Sequence, residues 1–69
     1  MKKIKFEDTE LHTWDERDRA MIELRNKKTD ETLVEWWDEE VGQAFEDGFL
    51  DARNLHESVY DYYKENIET

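Results

Sequence analysis

Cysteine and proline are absent from this 69-residue chain, and glycine occurs only twice. Without cysteine there is no disulfide to staple a small fold and no thiolate to hold a metal, so a reducing, cytoplasmic setting is the expectation. No apolar run exceeds three residues, the length of Ala20-Met21-Ile22. That excludes a membrane-crossing helix and the apolar centre of a signal peptide. Serine occurs once, at Ser58, and nothing in the sequence marks a base to activate it. A glycine-rich phosphate loop is also missing.

Cations are scarce in one part of the chain. Residues 29–69 hold two, Arg53 and Lys64, against thirteen Asp/Glu, whereas residues 1–28 hold eight Lys/Arg against seven Asp/Glu. The formal net charge of −10 therefore arises wholly after residue 28. Direct binding to a polyanion needs Lys/Arg to neutralise phosphates, so nucleic acid is not an expected ligand. Lys2, Lys3, Lys5, Lys27 and Lys28 read instead as guards of strand edges and of a hairpin tip.

High charge with low hydrophobicity is the usual composition of a disordered chain. Nine aromatic residues argue against disorder, because rings bury the most area per residue and a short chain can build a core from few of them. The expectation is one folded domain spanning residues 1–69.

Lys2-Lys3-Ile4-Lys5-Phe6 alternates polar and apolar residues and is a candidate edge strand over 2–6. Residues 7–18 lack a clear period and read as a loop, with Trp14 capping part of the core. Ala20, Ile22 and Leu24 alternate with Met21, Glu23 and Arg25, the mark of a half-buried strand. Asn26 to Glu31 is turn-like, and Thr32 to Trp37 supplies a β-branched and aromatic strand. The two strands, 19–25 and 32–37, form a hairpin in which Val34 and Trp36 share a face with Ile22 and Leu24. Leu33, Glu35 and Trp37 then fall on the other face.

Asp38 reads as the N-cap of a helix over 39–47, with Glu39 and Glu40 in the first turn, where the dipole favours anions. Val41, Ala44, Phe45 and Phe49 form one helical stripe, and Gly48 is the expected left-handed terminator. Asn54 and Glu57 resemble a capping box opening a second helix over 55–67, whose stripe is Leu55, Val59, Tyr62, Tyr63 and Ile67. The expected fold is α+β: a small antiparallel sheet covered on one face by two C-terminal helices.

No catalytic residue, cofactor or metal site is nominated. His12 and His56 stand alone, without a second histidine or any cysteine nearby. Glu46-Asp47-Gly48 lacks the alternating ligands of a calcium loop. A chain this short also leaves little room for a catalytic cleft. Enzyme activity is not expected.

The leading expectation is a protein-interaction module, an adaptor, regulator or inhibitor, that works through surplus aromatic surface, with a homodimer as one use of it. The alternative is an acidic DNA mimic, as some phage and mobile-element inhibitors are, that occupies the nucleic-acid site of a basic protein. The candidate partner-binding residues are Trp37, Trp14, Tyr60, Glu39, Glu40, Glu46, Asp47 and Asp61.

Overall fold

Three antiparallel strands form a meander, and two helices lie across one of its faces. The structure is a computed structural model that describes residues 3–68. The elements are β1 (Thr9–Glu16), β2 (Arg19–Asn26), β3 (Thr32–Trp37), α1 (Glu39–Glu46) and α2 (Leu55–Asn66), with strand order β1-β2-β3. The expected α+β class, the hairpin and both helices are present.

The third strand is not where the lysine alternation suggested. Residues 3–5 form no strand, Phe6–Asp8 make one 3-10 turn, and Lys2 lies outside the described residues. The edge strand is instead Thr9–Glu16, inside the stretch read as a loop. Its turn to β2 is Arg17-Asp18, with φ of 50° and 66°. Positive φ at both central residues is the type I′ geometry, whose twist matches that of antiparallel strands. Neither residue is glycine or asparagine, so the usual sequence signal is missing.

Register fixes what shares each face. Thr13, Ile22 and Trp36 are cross-strand partners, as are Leu11, Leu24 and Val34. With Val41, Ala44, Leu50 and Val59 from the helical layer, the buried members of these rows make the core. Trp36 meets Tyr62 edge-on, ring centroids 4.9 Å apart. A bulge between Leu24 and Arg25 leaves Leu33 as the extra residue, and Leu33 packs against the core rather than lying on the far face.

The helix ends also differ from expectation in part. Asp38 precedes α1 but its side chain caps no backbone N–H; its φ is 59°, and its own N–H donates to Ala20 O at 2.7 Å. Asn54 likewise makes no cap hydrogen bond. Asp51 accepts from Arg53 N at 3.0 Å instead, and the Ser58 hydroxyl accepts from Asp51 N and donates to Leu55 O. Gly48 does terminate α1, at φ 84°. Gly48 N donates to Phe45 O and Phe49 N to Ala44 O, the paired bonds of a Schellman motif. Past that turn Leu50 is the buried residue, while Phe45 and Phe49 stay exposed.

The segment before β1 straps onto α2. Glu68 accepts from Ile4 N at 2.9 Å, and the Tyr60 hydroxyl donates to Ile4 O at 2.8 Å. Phe6 stacks on His56 at 4.4 Å and meets Tyr60 edge-on. Among the described residues no helix is long and apolar enough to cross a membrane.

Candidate functional site

Side chains on β2 that point away from the helices are Arg19, Met21, Glu23 and Arg25. Their cross-strand partners complete an uncovered face. Trp14 stands opposite Met21, and Met21 stands opposite Trp37. The two tryptophans are thus two strands apart, about 10 Å, with Met21 between them. Trp14 is 37% exposed and Trp37 45%, whereas Trp36 on the opposite side retains 7%. The adjacent tryptophans diverge as expected, Trp36 inward and Trp37 outward. Trp14, expected to cap the core, joins Trp37 instead.

Beyond this row the face is charged. Glu23, though on the uncovered side, is buried between its neighbours and is hydrogen-bonded to Arg25. That bond pushes the Arg25 guanidinium pKa above its usual value, against the effect of its own desolvation. Arg25 also lies 3.8 Å from Asp30, and His12 lies 3.0 Å from Glu10. Arg19 lies 3.9 Å from Asp38, so both guanidiniums of the face have carboxylate neighbours. Glu16 and Glu35, on the same face, have no ion-pair partner among the described residues.

Beside Trp37 the chain turns into α1 and leaves an open groove of about 370 Å³, lined by Arg19, Trp37, Asp38, Glu39 and Glu40. The structure thus brings four of the sequence-nominated residues, Trp14, Trp37, Glu39 and Glu40, to one end of the sheet. Glu46 and Asp47 lie at the far end of α1, where Asp47 accepts from Gln43 at 2.9 Å. Tyr60 and Asp61 belong to α2, beside Phe6 and Glu57. Tyr60 is half-buried with its hydroxyl already committed to Ile4.

Met21 and Arg19 were not nominated from the sequence, yet they complete the site. The alternation in Ala20–Arg25 places Met21 on the outer face, but its central position depends on the register of both neighbouring strands. A second groove of about 400 Å³ lies over the same end of β1 and β2, where Phe45 and Leu55 of the helical layer approach Thr13 and Ile22.

His56 is the one histidine in a built environment. The Thr9 hydroxyl donates to Phe6 O at 2.7 Å, so it accepts from His56 Nε2–H at 2.8 Å. Burial and the charge of Lys27 hold the His56 pKa below its usual value. Among the described residues, no three His, Cys, Asp or Glu side chains are arranged to hold a metal ion. No protein-family model, curated protein or solved structure matches this chain.

Proposed function

We propose that this chain is a non-enzymatic protein-interaction module whose docking surface is the uncovered sheet face centred on Trp14, Met21 and Trp37. The observation that carries the reading is the cross-strand row itself: two half-exposed indoles flank a methionine, on the face the helices leave open. Tryptophan and methionine are enriched at interface centres, and polar residues at their rims. Here the rim is Glu16, Glu35, Glu39 and Glu40. A formal net charge of −10 opposes docking of a second copy and attracts a basic surface. The partner is therefore a protein with a basic patch around an apolar centre.

The test is capture from a lysate by the immobilised chain, compared with a Trp14→Ser/Trp37→Ser double variant whose far-ultraviolet circular dichroism is unchanged. A basic protein retained by the parent and lost from the variant supports the reading, once direct titration with that purified protein reproduces the difference. Equal retention by both chains overturns it. Sedimentation of the parent as a dimer through this face would give the surface to a second copy instead.

A separate feature favours a second reading. Glu57, Asp61 and Glu65 are exposed and fall four residues apart, a line of carboxylates along α2 with a rise of about 6 Å between them. Mimicry of a nucleic-acid backbone would act through this line. A Glu57→Gln/Asp61→Asn/Glu65→Gln variant would then lose the partner while the double tryptophan variant keeps it.

A further inference from the structure

We propose that the groove beside Trp37 is a subsite for an arginine side chain of the partner, and that Arg19 holds it as an internal placeholder. The proposal rests on the docking reading above and names the chemistry that its partner must present.

The groove combines the face of an indole with the carboxylates of Asp38, Glu39 and Glu40. A guanidinium is complementary to both: it is planar, weakly hydrated, attracted to the negative face of a ring, and able to fork onto a carboxylate. Arg19 shows the fit. Its Cζ lies 5.5 Å from the Trp37 ring centroid, and its Nε lies 3.9 Å from Asp38 Oδ2. That separation is too long for a hydrogen bond. Both side chains are about half exposed, at 54% and 50%. An ion pair this long and this wet contributes little, so Arg19 is easily displaced.

Carboxylates outnumber the cation. Glu39 and Glu40 have no ion-pair partner among the described residues. Both stand in the first turn of α1. An incoming arginine finds a ring and three acids, and must displace one loosely held side chain. Released, Arg19 faces Glu16, its cross-strand partner. The chain is thus self-occupied at the point where its partner would insert a cation.

The experiment is an NMR titration of the isotope-labelled chain with acetyl-Arg-Leu-Arg-amide, and with acetyl-Gln-Leu-Gln-amide as the neutral counterpart. The indole N–H signals of the three tryptophans are the readout. With the arginine peptide the Trp37 signal moves most, the Trp36 signal stays, and the response weakens at high salt. Arg19→Ala vacates the groove and tightens binding about two- to fivefold, the weight of one exposed cation–π contact. Arg53→Ala makes the same change in net charge within the helical layer and leaves the affinity unaltered. Trp37→Leu keeps an apolar side chain but narrows the preference for arginine over glutamine to the share that Asp38, Glu39 and Glu40 supply.

Unchanged or weaker binding by Arg19→Ala overturns the proposal, as does an equal gain in Arg53→Ala. Shifts confined to the amides of Glu57, Asp61 and Glu65 overturn it too. If the glutamine peptide moves the Trp14 and Trp37 signals as far as the arginine peptide does, the arginine subsite fails while the docking face stands. If neither peptide moves them, the subsite fails, and loss of lysate capture in the double tryptophan variant separately decides the docking face.

Discussion

Replacing each of the two adjacent tryptophans by alanine should have very different costs, although the residues are neighbours in the chain. Trp36 is 7% exposed and packs among Ile22, Val41 and Tyr62 at the centre of the helix-facing side. Its removal leaves a cavity that two helices and a sheet cannot close, a cost of about 3–5 kcal/mol. At about 0.05–0.15 kcal/mol per residue, a chain of this length has about 3–10 kcal/mol in total. Trp36→Ala therefore takes from about a third of the stability to all of it.

Trp37 is 45% exposed. A buried indole covers about 200 Å², so this one removes about 100 Å² from water, or about 2.5 kcal/mol as an upper bound. Water fills the space left behind, and no cavity term is added. Trp37→Ala should cost about 1–2 kcal/mol. In urea, with a slope of about 1 kcal/mol/M for a small domain, the midpoint drops by about 1–2 M. On the same slope the Trp36 variant should shift by about 3–5 M, more than twice as far. Equal midpoints for the two variants would refute the assignment of Trp37 to the open face.

Three smaller predictions follow from local geometry. His56 has its pKa lowered in the folded state by burial and by Lys27, so the unfolded chain binds the proton more tightly. The contribution of His56 is present above its ordinary pKa of about 6.5 and is lost as pH falls through the lowered folded value. Melting temperatures taken on either side of that window should fall more steeply on acidification for the parent than for His56→Gln; identical slopes would contradict this. Gly48→Ala should lower stability by about 1–2 kcal/mol in chemical denaturation, because φ 84° is strained for any residue with a Cβ. Tyr60→Phe removes the hydroxyl that donates to Ile4 O and should cost about 0.5–1.5 kcal/mol. It should also speed proteolytic cleavage near residues 4–8, while cleavage at an unchanged rate would show that the strap is held by other contacts.

Legibility in the sequence was uneven, and the reasons are specific. The β2–β3 hairpin was readable because Ala20–Arg25 alternates strictly and because Val34 and Trp36 can share only one face with Ile22 and Leu24. That same alternation separated Trp36 from Trp37. β1 was not readable: its inward row is Thr9, Leu11 and Thr13, with a single aliphatic residue, and its I′ turn is built from Arg17-Asp18. Lys3, Ile4 and Lys5 alternate like a strand but belong to a strap fastened by Glu68 and Tyr60. Without β1 the pairing of Trp14 with Met21 and Trp37 is not legible, since a two-residue turn with Glu16 opposite Arg19 is what sets Trp14 opposite Met21. Both helices were legible from their stripes, whereas their N-terminal caps were not. Asp38 is drawn to Arg19, and Asp51 serves the Arg53 N–H that follows it.

Hydroxyl-radical footprinting bears most directly on whether the open sheet face is where a partner docks. The chain would be oxidised free and in complex with the purified basic protein that it captures, and each tryptophan read by tandem mass spectrometry. The expected pattern is oxidation of Trp14 and Trp37 in the free chain, their protection in the complex, and a Trp36 protected in both. Trp14 and Trp37 oxidised equally with and without the partner would contradict the assignment of the docking surface to this face.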